Sequence, residues 1–251
     1  MARLDLAILW WSVTQTASLE RATWARPVAV AALTTAFVTA LSYGVPAEHA
    51  ASAVGLAFLG VTYVLCLRDP ASDGATRYGL SLGGLLDPVP IDWGALARSA
   101  ASELGFALLV AAVVFPPFWL GFRYWWSPVA PFRAASLSVL SQDVLGQWLV
   151  IALPEEAFYR GYLQTRLDET WTPRLRLLGT PIGVGLLVTS LVFALGHVAT
   201  EFHPNRLAVF FPSLLFGWMR TRRRGIGAAA AFHALCNLFA SFLARSYGLG
   251  G

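Results

Sequence analysis

Long apolar blocks separated by short polar loops dominate this sequence of 251 residues. Hydrophobic residues make up 57% of the chain and charged residues only 13%, whereas about a quarter of a soluble domain is usually charged. A block of about 20 apolar residues can cross the hydrocarbon core of a bilayer as a helix. The sequence therefore predicts an all-α, polytopic transmembrane helical bundle, and it argues against a disordered chain or an ordinary water-soluble enzyme.

About seven blocks are predicted to span the membrane, and nothing in the sequence indicates a second domain. We expect the spans at residues 27–43, 50–67, 101–122, 143–163, 181–199, 207–219 and 226–243. Residues 1–26 contain Trp10 and Trp11 and are predicted to form an interfacial helix, because tryptophan favours the headgroup level. Residues 27–251 then form a single integral membrane domain.

All 18 basic residues are arginine, and their distribution among the loops predicts an orientation. If successive loops alternate between the two sides, Arg123, Arg133, Arg206 and Arg245 lie on one side and the other arginines lie with the N-terminus. The positive-inside rule then predicts a cytoplasmic N-terminus and an outer C-terminus. A chain without lysine and rich in alanine suggests a bacterial inner membrane. The net charge of +4 gives no reason to expect a nucleic-acid partner.

Six polar residues inside the apolar blocks are candidate functional residues, because ionisable groups in a bilayer are costly and usually serve function. They are Glu155, Glu156 and Arg160 in the fourth block, His197 in the fifth, and His233 and Asn237 in the seventh. Glu156 and Arg160 are four residues apart and are predicted to pair on one helix face. Glu155 then lies about 100° round the helix and can face another group, such as water.

These side chains suit hydrolysis, although other uses stay open. A carboxylate can take a proton from water, a histidine can donate one to a leaving group, and histidine or asparagine can stabilise an oxyanion. Glu155, His197 and His233 could instead bind a divalent metal such as zinc. A proton-coupled transporter is a further alternative, but the chain lacks the repeated halves that many transporters show.

Three short motifs resemble the signature of the CPBP intramembrane protease family, which includes the CAAX prenyl endopeptidases and the Abi proteins. They are Glu155-Glu156-x-x-x-Arg160, Phe193-x-x-x-His197 and His233-x-x-x-Asn237, and the resemblance covers about residues 144–241. It implies an intramembrane endopeptidase with a metal-free glutamate mechanism and no cofactor. A non-catalytic immunity or binding protein of the same fold, or a metal-dependent protease, is the alternative.

The resemblance also implies a role for each motif residue. Glu155 would activate the attacking water, with Glu156 and Arg160 supporting the site. His197 would assist the water or the leaving group, and His233 and Asn237 would hold the oxyanion. The implied substrate is a membrane-anchored protein cut near its C-terminus, at a CAAX-like sequence or at a sorting tag such as the myxosortase-like subset removes. We expect Glu201 and His203, just past the fifth block, to be solvated.

Overall fold

The computed structural model describes residues 6–68 and 73–249, with side chains from residue 24 onward except those of residues 137, 139, 140 and 142. Within this part the regular secondary structure is helical apart from one hairpin, which confirms the predicted all-α bundle. The α-helices are α1 (Leu6–Gly44), α2 (Ala47–Thr62), α3 (Gly74–Arg77), α4 (Trp93–Trp126), α5 (Leu137–Leu145), α6 (Leu153–Glu156), α7 (Thr165–Thr170), α8 (Val184–Thr200), α9 (Phe210–Arg223) and α10 (Gly227–Ser246).

Shorter elements connect these helices. Segments with π-helical hydrogen bonding follow α2 (Tyr63–Leu67) and flank α6 (Gly146–Ala152 and Ala157–Gln164), and a 3₁₀ helix, Pro204–Val209, precedes α9. Strands β1 (Leu175–Leu177) and β2 (Thr180–Ile182) form an antiparallel hairpin between α7 and α8.

Four helical stretches of the described residues are long and apolar enough to cross a membrane. They are Trp24–Gly44, Ala47–Leu67, Trp93–Trp126 and Gly227–Ser246, which coincide with the first, second, third and seventh predicted spans. The other three predicted spans do not meet this standard. The fourth carries four charged residues, while α8 has 17 residues and α9 has 14 and ends in arginines.

The N-terminal segment differs from the predicted arrangement of two separate helices. Helix α1 runs from Leu6 through Pro27 to Gly44 as one element. Residues 14–26 contain no glycine or proline that would end a helix, and a single proline removes only one helical hydrogen bond. Residues 1–5 and the side chains of Trp10 and Trp11 lie outside the described part, so the interfacial placement stays a prediction.

A single helical rod carries the predicted acidic motif. The junction residues Gly146, Leu153, Ala157 and Thr165 all have right-handed helical backbone angles, so α5, α6, α7 and the π-helical segments between them form one helix over residues 137–170. We call it the central rod. It supplies much of the core, because Phe158 and Leu163 are fully buried against neighbouring helices.

Helix α2 approaches the central rod very closely at Gly55. A Cβ atom on residue 55 would lie 2.3 Å from the backbone oxygen of Val150. Pro154, four residues beyond Val150, has no N–H with which to donate the usual helical hydrogen bond to that oxygen. Glycine at position 55 therefore lets two helix backbones meet one turn before the acidic motif.

Polar contacts between helices gather at the two ends of the bundle. At one end Arg223 pairs with Glu103 at 2.8 Å, and at the other Arg245 pairs with Asp143 at 3.1 Å. The first end, called the arginine-rich end, carries the β-hairpin and the α9–α10 turn. The second, called the arginine-poor end, carries the α1–α2 turn and the loop after α8.

Candidate active site

A cavity of about 290 Å³ lies between α1, α2, α8 and the central rod. Glu155 and His197 both line it, together with Tyr159. Its wall also includes Ser42 at the end of α1 and Thr200 at the end of α8. Because those helices end at the arginine-poor end, the cavity extends from the acidic motif toward that end.

Glu155 is the carboxylate of the acidic motif that faces this cavity. Its side chain is 14% exposed, and its Oε2 atom is buried without a hydrogen-bond partner among the described residues. The same oxygen lies 3.8 Å from Nε2 of His233. A buried carboxylate oxygen that lacks a donor is free to accept a hydrogen bond from water or from a substrate.

Glu156 lies in a sealed ionic cluster on the next face of the rod. Its Oε1 atom is 3.1 Å from Nη1 of Arg160 and 3.0 Å from Nδ1 of His233, and both Glu156 and Arg160 are fully buried. The arginine contact is ionic and is not aligned as a hydrogen bond, and Oε2 of Glu156 has no partner in the described part. Arg160 and His233 thus share one carboxylate oxygen of Glu156 away from the cavity.

The guanidinium of Arg160 is held by a polar and an aromatic contact on α8 and α9. Its Nη2 atom donates to the hydroxyl of Ser213 at 2.6 Å and to the Ser213 carbonyl at 3.2 Å. The rings of Phe193 and Phe216 lie 4.4 Å and 5.1 Å from its central carbon. Such cation–π contacts stabilise a desolvated guanidinium, so Arg160 joins the rod to both helices.

Each of the two histidines is held by a contact to its own Nδ1 atom. Nδ1 of His197 lies 3.1 Å from the carbonyl of Phe193 one turn earlier, and it must donate because a carbonyl only accepts. Nδ1 of His233 faces Glu156, which leaves its Nε2 toward Glu155. In both rings Nε2 is therefore the nitrogen available for chemistry.

Asn237 lies apart from the cavity, one helical turn beyond His233. Its Nδ2 atom donates to Oε1 of Gln147 at 2.9 Å, which links α10 to the central rod. Neither Asn237 nor His233 is among the residues that line the cavity. Of the six predicted residues, Glu155 and His197 thus line the cavity, and Glu156, Arg160 and His233 form the sealed cluster beneath it. Asn237 pairs instead with Gln147.

Sequence reasoning missed three polar side chains that contact these residues. Gln147 orients Asn237, Ser213 binds Arg160, and Tyr159 lines the cavity. All three are polar side chains within apolar stretches, the same signal that identified Glu155. A Cβ atom on residue 196 would lie 3.1 Å from the hydroxyl of Tyr159. Glycine at this position, just before His197, therefore leaves room for the tyrosine.

The two polar residues after α8 differ in position. His203 is exposed, as expected, and its Nδ1 accepts from the N–H of Asn205 at 3.3 Å. Glu201 is exposed as well, but it lines the mouth of the cavity, where it forms an ion pair with Arg206. The mouth therefore carries one negative and one positive side chain.

The residues proposed as conditional metal ligands do not assemble as a metal site. Between residues 6–68 and 73–249 no group of three His, Cys, Asp or Glu side chains is arranged to hold a metal ion. Glu155, His197 and His233 are neighbours, and the contacts of each histidine's Nδ1 leave Nε2 as the nitrogen without a close partner. We derive no chemical step through a metal.

Comparison with known proteins finds one similarity, which covers the part of the chain that carries the site. Residues 137–239 match the family model described as type II CAAX prenyl endopeptidase, Rce1-like. No curated protein and no solved structure matches the chain. The matched range contains the central rod, α8, α9 and all six predicted site residues. Over this region the chain is similar to the CAAX proteases of the Rce1-like family.

Proposed function

We propose that the chain is an intramembrane endopeptidase in which Glu155 activates a water molecule in the cavity. The observation that carries the proposal is that Glu155, whose buried Oε2 has no hydrogen-bond partner among the described residues, lines the same cavity as His197. A carboxylate in this position can take a proton from water. The match to a protease family supports peptide hydrolysis as the reaction.

The proposed reaction uses the two cavity residues as acid and base. Glu155 takes a proton from water as the oxygen attacks the peptide carbonyl carbon, which forms a tetrahedral intermediate. The C–N bond then breaks, and the proton passes to the departing nitrogen, with Nε2 of His197 assisting the transfer. Both groups lie on helices, which hold their side chains in place better than loops do.

The deeper residues are proposed to serve the developing oxyanion. His233 can donate from Nε2 only when both ring nitrogens carry protons, and carboxylates flank both nitrogens at 3.0 Å and 3.8 Å. With both nitrogens protonated, the ring could stabilise an oxyanion. Asn237 keeps a second amide hydrogen beyond the one given to Gln147. A substrate carbonyl that extends past Glu155 could accept hydrogen bonds from His233 and Asn237.

We propose further that the substrate is a membrane-anchored protein cut near its C-terminus at the outer face of a bacterial inner membrane. The cavity extends toward the arginine-poor end, and the positive-inside rule assigns that end to the outside. A sorting tag made of a short motif, a spanning helix and a basic tail fits this placement. Its cleavage point would lie outside while its tail remains in the cytoplasm.

The test is cleavage by the full chain reconstituted in nanodiscs, with two probes. One is an internally quenched, farnesylated CAAX peptide, and the other is a reporter with a C-terminal spanning helix and an arginine tail. Glu155→Gln and His197→Gln should each lower the rate on the cleaved probe by about 10²- to 10⁴-fold, the usual contribution of a positioned acid or base. Glu48→Gln, an exposed glutamate on α2 outside the cavity wall, is the control and should retain the full rate.

Two outcomes would decide between this proposal and a non-catalytic protein of the same fold. Full activity in Glu155→Gln would contradict the glutamate mechanism. Membrane proteomes from cells with the wild type or Glu155→Gln should differ in their protein C-termini, and identical C-termini would favour a protein that acts by binding alone.

A further inference from the structure

The β-hairpin at the arginine-rich end exposes three leucines. Leu175, Leu177 and Leu178 are 69%, 49% and 77% exposed, although the hairpin lies beside well-buried helices. Exposed apolar patches usually mark a surface that contacts a partner or a membrane. The hairpin lies outside the cavity and is not used in the proposed hydrolysis.

Strand β1 separates charge from apolar side chains by simple alternation. The order Arg174-Leu175-Arg176-Leu177 places the two leucines on one face of the strand and the two arginines on the other. In water, the exposed leucine face of such a strand contributes no burial free energy to folding. At the boundary between lipid headgroups and acyl chains, the arginine face can contact the headgroups while the leucine face contacts hydrocarbon.

The protein holds this hairpin firmly and presents its tip. The indole N–H of Trp218 on α9 donates to the carbonyl of Leu177 at 3.1 Å, and Thr180 is buried. At the tip Leu178 has φ of 50° and Gly179 has φ of 76°. Leucine rarely adopts a left-handed conformation, so an exposed leucine at this turn has no explanation in local folding.

Three guanidinium groups that are unpaired with any carboxylate of the described residues lie on or beside the hairpin. Arg174, Arg176 and Arg222 are all exposed, and Arg176 donates to the Gly179 carbonyl at 3.4 Å. A Cβ atom on residue 179 would lie 3.8 Å from Nη1 of Arg222. The side chain of Arg222 on α9 therefore places a positive charge next to the turn. Guanidinium groups bind phosphate oxygens through two parallel hydrogen bonds.

We propose that the hairpin is a binding site for anionic phospholipid, with its leucines among the acyl chains and its three arginines on the headgroup phosphate. The amphipathic strand, the firmly held tip and the unpaired arginines all fit this one occupant. The proposal does not depend on peptidase activity. It also does not depend on membrane orientation, since reconstituted vesicles carry the lipid in both leaflets.

The first experiment follows the tip with an environment-sensitive fluorophore attached to Leu178→Cys in the full chain. Wild type labelled in the same way gives the background from Cys66 and Cys236. In vesicles of phosphatidylcholine mixed with phosphatidylglycerol, the emission should shift to shorter wavelength, and spin-labelled lipid should quench it more than in phosphatidylcholine alone. Equal emission and quenching in both compositions would overturn the proposal.

The second experiment measures lipid retention by native mass spectrometry in detergent with added phosphatidylglycerol. Arg174→Gln, Arg176→Gln and Arg222→Gln combined should weaken retention by about fivefold for each arginine removed. The control changes Arg123→Gln and Arg133→Gln, two exposed arginines at the arginine-poor end. Equal losses in both variants would show a general charge effect and would also overturn the proposal.

Discussion

Glu155 and Glu156 are neighbours on the central rod, but the protein surrounds them in different ways. Each keeps one oxygen without a hydrogen-bond partner in the described part, but Glu155 lines a cavity whereas Glu156 is sealed between Arg160 and His233. A rotation of about 100° along the helix separates the two environments. The comparison shows how one turn of helix can hold a cavity-facing carboxylate and a sealed, ion-paired one side by side.

Removing the counterion of the sealed glutamate should have the largest effect. Arg160→Met leaves a buried carboxylate without its cation, and the loss of one partner of a buried pair costs roughly 3–5 kcal/mol. Denaturant titration of the purified protein in mixed micelles would measure the loss. Arg166→Met, at a 33% exposed arginine paired with Glu169, is the control and should cost about 1 kcal/mol or less. A small loss in Arg160→Met would mean that the sealed cluster is not a structural element.

A second buried carboxylate on the same rod lacks a close arginine and should behave differently with pH. Burial raises the pKa of Asp168, outside the spans, from 3.8 to about 6, although a hydrogen bond from Gln164 and the charge of Arg220 oppose the shift. Because the folded state then binds more protons than the unfolded state, stability should fall by up to about 3 kcal/mol as pH rises from about 4 to about 6.

Asp168→Asn removes this titration and provides the measurement. Its unfolding free energy should stay level across the same pH range while that of the wild type declines. Parallel curves for the two proteins would show that Asp168 does not stay protonated in the fold.

The close helix approach behind the cavity can be tested with two glycines of α2. Gly55→Ala would place a methyl group 2.3 Å from the Val150 oxygen, and we expect a loss of about 1–3 kcal/mol because backbone must move. Gly60→Ala, with nothing within 4 Å, should instead add up to about 1 kcal/mol from helix propensity. The same unfolding titration compares them, and equal effects would contradict the close contact.

The amide pair at the edge of the site should affect rate more than stability. Gln147→Leu removes the acceptor that orients Asn237, so we expect kcat on the cleaved probe to fall about tenfold, or about 1.4 kcal/mol. Gln147→Glu keeps an acceptor oxygen at this position and should recover most of kcat. A change in KM alone would argue against a role in oxyanion stabilisation.

Metal removal should have the smallest effect. Since the described residues offer no set of three ligands, dialysis against a chelator should leave the cleavage rate unchanged. Loss of activity that added zinc restores would contradict the metal-free mechanism and would give Glu155 the role of a ligand.

Much of the fold could be predicted from sequence because charge is scarce in the chain. Apolar blocks indicated the helices, and Glu155 stood out as an isolated charge within one. Contacts between distant helices carry no such local signal. The bond from Asn237 to Gln147 joins residues 90 apart, and the positions of His233 and Asn237 outside the cavity wall depend on how α10 packs. The β-hairpin was not predicted, since its turn begins with a leucine that ordinarily avoids that conformation.

The polar mouth of the cavity has a consequence for the shape of a substrate. A spanning helix satisfies its own backbone hydrogen bonds, and a segment that unwinds in lipid leaves those groups unpaired. Ser42, Thr200 and the Glu201–Arg206 pair offer replacement partners at the place where a strand would enter. We therefore expect the cleavage point to follow glycine, proline or polar residues that already weaken a helix, so that sequence near the bond decides which membrane anchors are cut.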